Sequence, residues 1–140
     1  MKTRRVVLVL RLLWALPCSM VGVFLACGVI CLGGTARRVD HTVEVGLAVR
    51  HAHLPRWTRG LGFSAITFGH VIVGQSHEVL DALRPHERVH VQQYEALGPL
   101  FFVAYPASSL LAWLQGQCPY HGNHFERQAL ARASARQASA

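Results

Sequence analysis

The sequence predicts an α+β protein: an N-terminal transmembrane helix, then a small domain made of a short β-sheet and two functional helices. Three observations predict it. Residues 6–34 are almost wholly apolar, with Arg11 their only charge. The stretch "AITFGHVIVG", residues 65–74, alternates like a strand. Two later segments, "PHERVHVQQYEAL" and "HFERQALARASARQ", carry helix formers behind good starting residues.

From Leu12 to Gly34 the chain runs 23 residues without a charge. At about 1.5 Å per residue this crosses a hydrocarbon core of roughly 30 Å. Residues 12–34 are therefore expected to anchor the chain in membrane lipid, with Pro17 either tolerated or marking a break before the span proper. The competing reading is a cleaved signal peptide. The apolar run is long for one, and "GTA" at 34–36 is the only small-residue cleavage site. Lys2, Arg4, Arg5 and Arg11 lie before the span and Arg37 and Arg38 after it, a small balance that places the N-terminus inside.

Beyond the anchor, "HTVEVGLAV" predicts a strand over 41–49, and "LPRWTRG" a loop whose Trp57 suits a membrane interface or a packing role. In the strand 65–74, Ile66, Phe68, His70 and Ile72 are expected on one face, with Thr67, Gly69, Val71 and Val73 on the other. "QSHEVLDALR" predicts a short helix capped by Ser76. Pro85 is expected to end it and to start a new helix reaching about Leu97, stopped by Gly98-Pro99. "LFFVAYPASSLLAWLQG", 100–116, is apolar but short for a span, with Tyr105-Pro106 in its middle. Asn123 is a good cap for the last helix. The expected division is 1–34 tail and anchor, 35–130 domain, and 131–140 a disordered tail.

The net charge is +7, but the basic residues are scattered and no aromatic-rich binding motif accompanies them. Nucleic acid is not an expected partner; anionic lipid headgroups are a simpler one. Cys18, Cys27 and Cys31 lie in the apolar run and only Cys118 in the domain, so an internal disulfide is excluded there.

His86-Glu87-Arg88-Val89-His90 is an H-E-x-x-H. A helix sets residues i and i+4 on one face, so both imidazoles point at one metal ion. Glu87 then reaches a water that zinc has acidified, and takes its proton as general base. Gln93 and Tyr94 follow near the His90 face as supporting groups or pocket wall; a core aromatic is an equal reading of Tyr94. A catalytic zinc needs a third protein ligand. Glu126, on a predicted helix, is preferred; Cys118, His121 and His124 are loop-borne alternatives, each more often a plain surface residue.

"HERVHVQQY" followed by "NHFERQA" resembles the gluzincin metallopeptidases, most closely the minimal ones related to the CAAX prenyl proteases. It is also similar to small bacterial membrane proteins with a GHV strand, an HExxHVxQY helix and an N-x-F-E-R-x-A helix. The likeness covers about residues 65–130. It implies a zincin-like (minigluzincin-like) domain with zinc held by His86, His90 and Glu126, Glu87 as base, and Asn123 in support. Where the pattern leads one to expect a proline after Asn123, this chain has His124.

The expected function is thus a membrane-anchored zinc metallopeptidase acting on a peptide or protein. It would be a single-pass protein of the bacterial inner membrane, with its domain on the outer, periplasmic side. The alternatives are a non-catalytic, zinc-stabilised interaction module, or a two-span membrane protein with an accidental motif. One consequence is topological. If residues 97–116 crossed a bilayer, His90 and Glu126 would lie roughly 30 Å apart. A shared metal therefore requires that stretch to turn back toward the site.

Overall fold

The computed structural model describes residues 2–47 and 64–138, and is an α+β fold. The loop around Trp57 and the end of the strand expected at 41–49 lie outside the described residues. The order is α1 (Lys2–Trp14), α2 (Leu16–Cys31), β1 (Gly34–Val39), β2 (Thr42–Leu47), β3 (Ala65–Phe68), β4 (Val71–Gly74), α3 (His77–Leu97), a 3-10 turn (Gly98–Leu100), α4 (Phe101–Leu114) and α5 (His124–Ala138). The sheet runs β1-β2-β4-β3, with β2 and β4 parallel and both outer pairs antiparallel.

The apolar N-terminal run is not one straight span. It breaks at Ala15, where α1 and α2 meet at 62°. Pro17 sits in the first turn of α2, where its missing N–H costs nothing. Nor is the run separate from the domain. Cys18, Gly22 and Ala26 form a small-residue stripe that packs α2 onto the sheet. A side chain at position 22 would strike Val71 and the Phe68 backbone. The boundary expected at 34 is instead the first residue of β1, a strand that sequence alone did not suggest. The rest of α2 is apolar and exposed, including Met20, Val23, Phe24 and Ile30.

The strand expected at 65–74 is a hairpin of two strands. Gly69, at φ +60°, is the first of two turn residues, the position that a type II′ turn reserves for glycine. A Cβ there would also meet the Ser19 backbone. The fold-back reassigns the faces. Thr67 pairs with Ile72 and looks toward α3, whereas Ile66 and Phe68 pair with Val73 and Val71 and look toward α2. The sheet is therefore a middle layer between α2 and α3.

Pro85 does not restart a helix. α3 passes through it unbroken for 21 residues, capped by the Ser76 hydroxyl, which accepts from the Val79 N–H at 3.2 Å. The hydrogen bond that proline forfeits is outweighed by burial of Leu80, Val89 and Val91. An ion network clamps the same turns. Buried Glu44 on β2 accepts from Arg84 of α3 at 2.7 Å and from Arg37 of β1 at 2.8 Å, and both arginines also pair with Asp81.

The helical stretch His77–Leu114 is long and apolar enough to cross a membrane by length and composition. It is folded, however. Gly98, at φ +54°, turns the chain, and the Tyr105 ring comes back to 6.4 Å from His90. The outer face of α4 is apolar and exposed, with Val103, Leu110, Leu111, Trp113 and Leu114. α5 then runs to Ala138, through most of the stretch expected to be a frayed tail. Its buried Ala129 and Ala133 mark the contact face that keeps those turns ordered.

Candidate metal centre

α3 brings His86 and His90 one turn apart with Nε2 atoms 3.1 Å from each other. Glu126, in the first turn of α5, reaches both: its Oε2 lies 3.2 Å from His86 Nε2 and its Oε1 3.3 Å from His90 Nε2. Four donors at 2.0–2.1 Å from one tetrahedral ion would lie roughly 3.3–3.4 Å apart. The three side chains thus form a group that could hold a metal ion.

The surrounding bonds assign each donor its role. The Gln93 amide nitrogen donates to the Phe125 carbonyl at 3.1 Å and to Gln128 at 3.0 Å. Its oxygen therefore faces His90 Nδ1, at 2.8 Å, and can only accept. That places a proton on Nδ1 and turns Nε2 toward His86 and Glu126. The Tyr105 hydroxyl donates to Glu126 Oε1 at 2.6 Å. Glu126 Oε2 is buried without a hydrogen bond. A buried anionic oxygen left open beside two imidazole nitrogens is a set of donors suited to a cation. Burial opposes ionisation of Glu126, but His86, His90 and Tyr105 outweigh it and hold the carboxyl well below the usual carboxylate range.

Glu126 is delivered by Asn123. This residue is fully buried and caps α5: its side-chain oxygen accepts from the Phe125 N–H at 2.8 Å. Its amide donates to the Tyr105 carbonyl at 3.1 Å and to Ser109 Oγ at 2.7 Å. The polar residues within the apolar 100–116 stretch are thus the ones that dock the returning chain. Phe101 and Phe125, 5.0 Å apart, fill the space beneath.

Glu87 lines the same cleft as the two histidines and is buried, accepting from the Thr67 hydroxyl of β3 at 2.7 Å. The cleft holds about 770 Å³ and is walled by the β3 segment 64–68, by Phe102 and Pro106 of α4, and by Leu130 of α5. Among the described residues, β3 has no strand on its outer side, so its edge is open to this space. Tyr120 also lines it; burial first, and then Glu126, push its phenol up to about 12, so it stays a neutral donor.

Of the residues expected from the sequence, His86, His90, Glu126 and Glu87 meet in one cleft, and Gln93 orients His90. Tyr94 packs on Phe101, with ring centroids 4.4 Å apart, as a core aromatic that also lines the cleft. His121, His124 and Cys118 are exposed and lie outside the cluster. Thr67, Tyr105 and Tyr120 were not singled out for roles here. For Tyr105 the signal was present: a phenol in the middle of a largely apolar run. Compared with family models, curated proteins and solved structures, the chain matches none.

Proposed function

We propose that this chain is a membrane-associated, zinc-dependent peptidase with a zincin-like arrangement. The carrying observation is the convergence of His86, His90 and Glu126 around the open oxygen of Glu126, with Glu87 in the same cleft. Two imidazoles and a carboxylate suit zinc and leave a position for water. When bound, the ion supplies Lewis acidity toward a carbonyl oxygen and makes water more acidic.

The chain's own residues supply the rest. An extended peptide adds to the open edge of β3, using backbone hydrogen bonds for alignment and the apolar cleft walls for its side chains. Glu87, held by Thr67, receives the proton of the attacking water at its carboxylate and passes it to the leaving amine. Tyr120 offers a neutral hydroxyl for negative charge developing on the carbonyl oxygen. Phe102, Pro106 and Leu130 give the cleft apolar walls for substrate side chains. The exposed apolar faces of α1, α2 and α4 contact lipid, and the basic residues Lys2, Arg4, Arg5 and Arg11 of α1 favour an inward N-terminus with the cleft outside.

The test is Glu87→Gln. It should keep the metal, while peptide hydrolysis falls by about 10²- to 10⁴-fold. Full activity in this variant would overturn the mechanism. A second reading, a non-catalytic zinc-stabilised protein, draws on the fact that the ligands tie α3 to α5. It predicts unfolding on chelation and no hydrolysis of any peptide library.

A further inference from the structure

A second group of metal-type donors lies on the opposite side of α3. Glu95 is nine residues beyond His86, which on a 3.6-residue helix is half a turn around and roughly 13 Å along. Its Oε1 lies 3.2 Å from His70 Nε2 and 3.5 Å from His41 Nε2. These three donors come from three separate places: the β1–β2 turn, the β3–β4 turn and α3. We propose that His41, His70 and Glu95 form a second divalent-metal site, structural in role, that staples both hairpin turns to α3.

The hydrogen bonds around His70 carry the argument. The Ser19 hydroxyl lies 3.1 Å from the Ala15 carbonyl, to which it can donate its one proton. Ser19 Oγ accepts the His70 backbone N–H at 3.0 Å and faces His70 Nδ1 at 3.4 Å. With its proton on Ala15, the hydroxyl accepts from that ring nitrogen, and Nδ1 carries the ring proton. In that tautomer His70 Nε2 faces Glu95 Oε1 at 3.2 Å with a lone pair, and the contact calls for a cation between them. A metal ion satisfies it, and a ligating histidine whose other nitrogen is held by an outer partner is the usual pattern.

The rest of the site fits. Arg11 donates to Glu95 Oε2 at 3.3 Å, which neutralises that oxygen and leaves Oε1 for the histidines. Arg88, also nearby, is occupied by Asp40. The His70 carbonyl accepts the Val43 N–H at 2.9 Å, so the two turns are already joined beside the donors. His70 and Glu95 are buried while His41 is half-exposed, at the edge of a depression of about 610 Å³ that gives an ion its way in. Two imidazoles and one carboxylate suit zinc, with copper and nickel as chemical relatives.

The experiment uses the full chain in detergent, stripped with a chelator, then dialysed against zinc and assayed for bound metal. Wild type should bind about two ions per chain, and the double variant His86→Ala/His90→Ala about one. Adding His41→Ala to that double variant should bring the count to about zero. His41 is half-exposed, so its loss leaves the core intact; melting of the apo forms checks this. Zinc should also raise the melting temperature of the double variant, and not of the triple one. If wild type binds a single ion, lost with the His86 and His90 changes and kept with His41→Ala, the second site is refuted and the peptidase reading stands. If the single ion is lost only with His41→Ala, the peptidase reading fails and the second site stands. No metal in any form refutes both, and the His70–Glu95 contact is then a plain ion pair.

Discussion

Two buried glutamates show how alike residues do different work. Glu44 and Glu126 are 1% and 3% exposed. Glu44 is met by guanidinium groups from β1 and α3 on both of its oxygens. Its charge is cancelled within the fold, so it fastens β1 and β2 to α3 and has nothing left for a ligand. Among the described residues, Glu126 meets no guanidinium. One oxygen takes the Tyr105 hydroxyl and the other is open beside two imidazoles. A buried carboxylate whose partners are all fixed cations is structural. One whose partners are metal-type donors, with an oxygen unspent, could still take up a cation.

Variants at three positions press on that contrast. The largest effect is expected for Glu126→Gln. It should strip the metal from this centre and lower hydrolysis about a thousandfold or more, since the Lewis acid supplies several kcal/mol. It should leave the apo fold standing, because no buried charge is stranded. Metal analysis beside circular dichroism checks both halves; retained metal would return His121 or His124 to consideration as ligand.

Next is Glu44→Ala, expected to cost about 3 kcal/mol, the low end for a broken buried pair, because Arg37 and Arg84 can turn partly to water. In a chain of this size that is a fall of roughly 10 °C in melting temperature. Metal content of the surviving folded protein should not change. The same group sets an acid limit. Burial acts to raise the Glu44 carboxyl, but its bonds to Arg84 and Arg37 prevail and lower it from 4.5. A carboxyl lowered on folding stabilises the protein above its unfolded value, and that contribution is lost as pH falls through the folded value. Stability should therefore drop below about pH 4, and Glu44→Gln should flatten this limb of the pH–stability curve.

The smallest effect is expected for Gln93→Ala, which frees His90 to rotate. Zinc affinity at the first centre should weaken about 10- to 100-fold, with the ion count at saturating zinc unchanged. A normal affinity in a competition titration would show that packing alone orients His90.

Much of this centre was legible because its logic is local. His86, Glu87 and His90 need only one helical turn, and Gln93 sits on the next. Asn123 and Glu126 were legible for the same reason, as a cap and a first-turn acid. What escaped depended on the chain meeting itself. Thr67 matters because β3 lies against α3, and Tyr105 because Gly98 turns α4 back. His41 and His70 looked like isolated histidines at a strand edge and mid-strand, since nothing in the periodicity marked 69–70 as a turn. Glycine and histidine fit an alternating pattern as well as they fit a hairpin. The apolar N-terminal run was legible as lipid-compatible. Its small-residue stripe was not read as a packing face, because Cys18, Gly22 and Ala26 suit lipid and protein neighbours equally.

By itself, then, the sequence determined the α+β class, the helical pairing of His86 with His90, the capping of α5 and the apolar character of both ends of the core. These follow from spacing, propensity and hydropathy within a few residues. Only the tertiary structure decided that α2 belongs to the domain, that Glu126 leaves an oxygen open, and that His41, His70 and Glu95 converge. Each of these depends on contacts between residues far apart in sequence, where the geometry of the turns sets which donors come within reach.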